Sequence, residues 1–257
     1  MMAVASSLAN FPLPTREVDD MPEKGQVMTA VFAHRGCTDG RRENTLEAFV
    51  EARRLGADGV ELDVRLTSDG ALAIHHGPSI VGLGPIALLS VLDLPSYIPL
   101  LVDALAACDG MTVNVEIKND PEQPGHDPLE SVAALMATAI AEAGWTERVI
   151  ISSFQVSTLR AVRAADGRLR LGELWRFLAD AEAGLARAVD EGWSAIHPFV
   201  TSVTPDLVER AQKAGLAVHV WTVNAWDDLV SLVKLGVDAV ITDHLAEALS
   251  IARGGAG

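Results

Sequence analysis

Short runs rich in Val, Ile, Leu and Ala recur along this chain: Val31 to Ala33, Val60 to Leu66, Val113 to Ile117, Val149 to Ser152, Leu169 to Leu174, Ala195 to His197, Ala217 to Val223 and Ala239 to Thr242. Nearly unbroken apolar runs of this length suit parallel strands buried on both faces. Between them lie longer stretches with apolar residues at helical spacing: Thr45 to Leu55, Ile98 to Cys108, Pro128 to Ala143, Val156 to Ala165, Ala179 to Glu191, Pro205 to Ala214, Trp226 to Leu235 and Leu245 to Ala252. This alternation predicts an α/β fold, a (β/α)8 TIM barrel, because each helix carries the chain back to start a parallel neighbour. The rival, a doubly wound open sheet, would put a Gly-rich dinucleotide turn after the first run, and none is seen there. Helix punctuation agrees with these boundaries. Asn44 is a candidate N-cap before Thr45, Thr204-Pro205 gives a cap followed by Pro at the first helical position, and Gly56, Gly144, Gly215 and Gly236 fall where helices should stop.

The plan is interrupted once. Leu66-Thr67-Ser68-Asp69-Gly70 predicts a tight turn that doubles the chain back through Ala71 to His76. Residues 77 to 97 then hold Gly77, Pro78, Gly82, Gly84, Pro85 and Pro95 with little periodicity, which is a short insertion after the second strand. Loops after barrel strands are where specificity resides.

Charged residues break the apolar runs at particular places. Period-two alternation puts Glu61 and Asp63 on one face of the second strand, and Asn114, Glu116 and Lys118 on one face of the third. His34 and Arg35 end the first strand, and His76 follows the predicted hairpin. Burying that much charge is costly unless the charges pair or bind a metal. Glu61, Asp63 and Glu116 supply hard oxygen ligands suited to Mg²⁺ or Ca²⁺ rather than zinc. His34 and His76 titrate near neutral pH and are the candidate acid and base, with His75 on the opposite face of its strand. A one-residue slip would exchange His75 and His76.

Several segments, taken in register, resemble the glycerophosphodiester phosphodiesterase family from about Val31 to Asp243. They are Ala33-His34-Arg35-Gly36, Glu43-Asn44-Thr45, Gly59-Val60-Glu61-Leu62-Asp63-Val64, Ser68-Asp69-Gly70, His76, Val115-Glu116-Ile117-Lys118, Trp221-Thr222-Val223-Asn224, Gly236-Val237-Asp238 and Ile241-Thr242-Asp243. The resemblance implies metal-dependent hydrolysis of a glycerophosphodiester to sn-glycerol 3-phosphate and an alcohol. It places the divalent cation on Glu61, Asp63 and Glu116, and makes His34 and His76 the proton carriers. Arg35 and Lys118 would hold the phosphate, or serve as counter-ions to the carboxylates. Trp221 would form an apolar wall for the glycerol or head group, or pack in the barrel core. Two positions depart from the family pattern: Gly77 stands where the family has Asp after the second histidine, and His244 where it has Pro.

Composition narrows the partners. With Lys plus Arg at 20 against Asp plus Glu at 35, the net charge of −15 argues against nucleic acid or an anionic membrane surface. A small anionic phosphodiester would have to be held by local positive charge. No run approaches the roughly 20 apolar residues of a membrane helix, so stable membrane insertion is not expected. Cys37 and Cys108 give no disulfide framework, and the expectation is a cytoplasmic protein. Residues 1 to 28 lack a signal-peptide core and are expected to be a flexible head, with residues 29 to 257 forming one domain.

Two alternatives keep the same residues. One is a lysophospholipase D-like or cyclising activity on a lysolipid, favoured if Ile80, Val81, Leu83, Ile86, Leu88 and Leu89 form an apolar groove. The other is a catalytically silent, phosphodiester-binding barrel, for which Gly77 is the best support.

Overall fold

The computed structural model describes residues 28–254. The flexible head expected over residues 1 to 28 lies, but for Met28, outside the described residues. Eight parallel strands close on themselves: β1 (Ala30–His34), β2 (Gly59–Leu66), β6 (Thr112–Ile117), β7 (Val149–Ser153), β8 (Arg170–Trp175), β9 (Ala195–Pro198), β10 (Ala217–Val220) and β11 (Ala239–Thr242). β1 pairs with β2 on one side and β11 on the other, so the barrel has no open edge. Helices α1 (Leu46–Leu55), α2 (Leu101–Ala107), α3 (Ser131–Glu142), α4 (Val156–Ala165), α5 (Ala181–Asp190), α6 (Pro205–Lys213), α7 (Trp226–Leu235) and α8 (Leu245–Ala252) surround it. The main core lies between strands and helices, where Val31, Val60, Leu62 and Val64 meet Phe49, Leu101, Leu105 and their equivalents around the ring.

The predicted hairpin is present. β3 (Leu72–Ile74) runs antiparallel to β2, pairing Val64 with Ile74 and Leu66 with Leu72. Thr67 ties the turn, its hydroxyl donating to Asp69 Oδ1 at 2.6 Å and accepting from the Ala71 amide at 2.8 Å. The insertion carries a two-residue ladder, β4 (Ser79–Ile80) with β5 (Gly84–Pro85), and two 3₁₀ turns, Ile86–Leu88 and Val91–Asp93. Ile80 and Ile86 close a small separate core with Ala73 and Ile98, against which Leu89 and Leu94 pack. Val81, Leu83 and Leu88 are exposed. The six apolar residues are thus divided between a local core and the surface and do not line one groove.

Four helix starts differ from expectation: α5 begins at Ala181 instead of Ala179, after a 3₁₀ turn over Leu178–Asp180, and three others differ for local reasons. Thr45, and not Asn44, caps α1, accepting from the Ala48 amide at 3.3 Å. Helix α2 begins at Leu101 instead of Ile98, because Pro99 accepts from the Ile74 amide and Leu100 bridges to Ala73. Helix α3 begins at Ser131 instead of Pro128, where the Asp127 carboxylate accepts from the Leu129 and Val132 amides and the Ser131 hydroxyl. Thr204 caps α6 as expected, with Pro205 at its first turn.

Candidate active site

Register brings the charged residues to one mouth. His34 lies beside Glu61 across β1 and β2, and Asp63 beside Glu116 across β2 and β6. Ligand atoms of Glu61, Asp63 and Glu116 all lie within 4.8 Å of one another, and all three residues are buried. Burial raises the affinity of Glu61 for its proton, and the neighbouring Asp63 charge adds to the effect. Glu116 shifts the same way, chiefly by burial. Asp63 goes down: burial opposes its charge, but Lys118 and Arg35 outweigh it. Lys118 Nζ lies 3.0 Å from Asp63 Oδ1 and 2.5 Å from Glu116 Oε1, and Arg35 Nε lies 3.3 Å from Asp63 Oδ2. Arg35 also reaches Glu43 Oε2 at 2.9 Å. Both cations are counter-ions at the carboxylate cluster.

This donor set suits a hard divalent cation. Three converging carboxylates with two raised affinities for protons carry more negative charge than the two adjacent cations satisfy well. Asp63 Oδ1 is fully buried and, although the Lys118 ammonium lies 3.0 Å away, receives no aligned hydrogen bond. A divalent cation there would resolve both features.

The loop after β1 has unusual backbone. Arg35 has φ 57°, and its amide reaches both Glu61 O at 2.9 Å and Glu61 Oε2 at 3.1 Å. At Gly36 (φ 86°) a Cβ would stand 2.7 Å from Ala48 Cβ, so only Gly lets the turn pack on α1. Asn44, at φ 55°, donates Nδ2 to Asp63 Oδ2 at 2.8 Å and accepts from the Asp63 amide at 3.3 Å. It braces the carboxylate instead of capping the helix.

The two histidines have different supports. His34 Nδ1 is 2.7 Å from Asp243 Oδ1, and Asn224 Nδ2 donates to Asp243 Oδ2 at 2.6 Å. An ionised Asp243 can only accept, so Nδ1 carries the proton and Nε2, 3.9 Å from Glu61 Oε2, faces the site. Burial works against protonation of His34, but the Asp243 hydrogen bond and the Glu61 charge prevail and raise its pKa. His76 moves the other way, down to about 4, through burial first and then the Arg35 and Lys118 charges, with Asp63 opposing. Its backbone carbonyl is clamped by Arg65, which donates from Nε at 2.9 Å and Nη2 at 2.6 Å, while Nη2 also reaches Gln123 Oε1 at 2.8 Å. His75 turns aside to the Gly77 carbonyl at 2.8 Å.

Trp221 stands at the same mouth, half-buried, with Nε1 donating to His197 O at 2.7 Å and its ring against Phe154 and Phe199. It also packs on the Phe32, Ala239 and Ile241 cluster inside the barrel, so wall and core packing coexist in one side chain. His197 is wholly buried below the rim. The sequence alone gives no site role to Arg65, nor to Asn44, Asn224 and Asp243, which stand in family-like motifs. Alternation along Glu61, Asp63 and Arg65 carries the signal for Arg65.

Comparison with known proteins gives the family and the fold. Residues 34–247 match the glycerophosphoryl diester phosphodiesterase family. A glycerophosphodiester phosphodiesterase from Caldanaerobacter subterraneus is 33% identical, with 88% of this chain and 99% of the relative aligned. The fold is similar to a glycerophosphodiester phosphodiesterase from Parabacteroides distasonis (TM-score 0.78, 23% identity, 90% of this chain and 99% of that one). It is also similar to an Oleispira antarctica phosphodiesterase solved with its product sn-glycerol-3-phosphate (TM-score 0.76, 24% identity, 88% and 97% covered). With the match running through nearly all of the barrel, the chain belongs to the glycerophosphoryl diester phosphodiesterase family.

Proposed function

We propose that the protein hydrolyses small glycerophosphodiesters to sn-glycerol 3-phosphate and an alcohol, using Mg²⁺ or Ca²⁺ held by Glu61, Asp63 and Glu116. The observation that carries this reading is the convergence of three buried carboxylates beside two histidines at one barrel mouth, in a chain of this family. When bound, the cation would neutralise phosphate charge and lower the pKa of a bound water. The chain's own groups do the rest. Arg35 and Lys118, which stand beside these carboxylates, would contact the phosphate oxygens, Arg35 as a fork and Lys118 as a point charge. Asp243 and Asn224 hold the His34 ring so that Nε2 points inward, and Arg65 fixes the backbone from which His76 projects. One imidazole takes the proton of the attacking oxygen and the other protonates the departing alcohol oxygen.

With Gly77 in place, Arg65 still clamps the His76 backbone carbonyl, which supports an active site over a silent barrel. The division of the insertion's apolar residues between core and surface weakens the lysolipid reading. The test is release of glycerol 3-phosphate from glycerophosphoglycerol by chelator-treated protein, before and after adding Mg²⁺ or Ca²⁺. Turnover should require the cation and fall by at least about 100-fold in His34→Ala and His76→Ala, the range for loss of a general acid or base. Full turnover in chelator would refute the assignment.

A further inference from the structure

A cavity of about 700 Å³ runs from Glu116, Lys118 and His76 to the rim above β8. Four cationic side chains of Arg or Lys line it, and three are engaged: Arg65 by the His76 carbonyl and Gln123, Lys118 by Asp63 and Glu116, and Arg187 by Glu173. Arg176 is the exception. Among the described residues its guanidinium makes neither an ion pair nor a side-chain hydrogen bond, and the residue is exposed.

Its position is well defined by parity and by its neighbours. Arg170, Gly172 and Leu174 alternate onto the inward side of β8, which is four strands from β1 in either direction around the barrel, and Arg176 follows in the same parity just past the strand's end at Trp175. Arg176 Cζ lies 5.7 Å from the ring centre of Phe154 and 5.6 Å from that of Trp221. Those two rings meet edge to face at 5.5 Å, and Trp221 is locked by its bond to the His197 carbonyl. Two aromatic faces meeting at the mouth of a phosphodiester site offer the surroundings a quaternary ammonium prefers. Here the chain's own guanidinium fills them.

Resting on the proposed phosphodiesterase activity, we propose that Arg176 is a specificity-determining residue that selects the alcohol part of the substrate by charge. A cationic head group such as choline meets the aromatic pair already occupied by a like charge. A head group carrying a carboxylate or a second phosphate meets a guanidinium with free donors. The overall acidity of the chain makes a free cation at this rim the more selective.

The experiment compares kcat/KM for three substrates with Mg²⁺ or Ca²⁺ added: glycerophosphocholine, glycerophosphoglycerol as the uncharged reference, and glycerophosphoglycerol phosphate as the anionic one. Wild type should favour the anionic substrate over the choline substrate. Arg176→Gln should narrow that ratio by about three- to fivefold, the scale of one exposed charge pair, mostly through KM. Arg176→Lys should keep most of the preference. Equal handling of the three substrates by wild type, or an equal change on all three in Arg176→Gln, would overturn the role of Arg176 while leaving the activity standing. Turnover of none of them would remove the activity and this proposal together.

Discussion

Asp63 is the most heavily braced side chain at the mouth: Asn44 donates to one oxygen, and Lys118 and Arg35 stand within ion-pair distance. Asn44→Ala removes the donor and leaves the carboxylate free to turn. Divalent-cation affinity, measured by calorimetric titration, should fall by about 10- to 100-fold, the usual cost of losing a bracing partner to a ligand. Asp243→Asn leaves a hydrogen-bonding group of the same shape but removes the charge that sets the His34 proton on Nδ1. The expected loss is in kcat, by roughly 100-fold or more, with KM moving little; a change confined to KM would contradict the positioning argument. The eight residues picked out from the sequence all stand around this mouth, because apolar runs make polar interruptions conspicuous. Asn44 was not legible in the same way. Its left-handed backbone and its reach to Asp63 depend on a loop whose path is set by Gly36 packing on α1.

At the scale of elements, the alternation of buried strands and amphipathic helices was readable because each parallel strand is covered on both faces and so stays apolar throughout. Boundaries were less readable where tertiary contacts overrode local signals, as at Leu101, delayed by pairing of residues 99 and 100 with the β3 segment. The inside of the barrel holds a further consequence. β8, β9 and β10 meet there through Gly172, His197 and His219; the two imidazoles are 4.8 Å apart, and a Cβ at Gly172 would lie 2.4 Å from the His197 ring. Gly172→Ala should therefore destabilise the fold by about 1–3 kcal/mol through overpacking, read from denaturant unfolding. Burial pushes His219 down to about 4, so the folded chain holds it neutral while the unfolded chain protonates it near pH 6.5. The unfolded state then binds more protons, and the contribution present above pH 6.5 is lost progressively as pH falls towards 4, to a total of roughly 3 kcal/mol. Wild type should lose more stability than His219→Gln between pH 7.5 and pH 4.5. Identical pH slopes would contradict this account.

Across the whole molecule, charge is distributed unevenly for a purpose. A chain with a net charge of −15 concentrates three buried carboxylates, the cations Arg35, Lys118 and Arg65, and two histidines at one end of the barrel, where strand C-termini converge. Local cations must overcome the repulsion that the rest of the surface exerts on an anionic substrate. Among the described residues no helix is long and apolar enough to cross a membrane. The account stands on one cation joining β2 and β6. Crystals grown with Mn²⁺ in place of Mg²⁺ or Ca²⁺ and measured for anomalous scattering test it most directly. The expected map has a peak within about 2.5 Å of oxygens from Glu61, Asp63 and Glu116 together. A fully loaded, active protein with that position empty, or with the ion bound elsewhere, would contradict it.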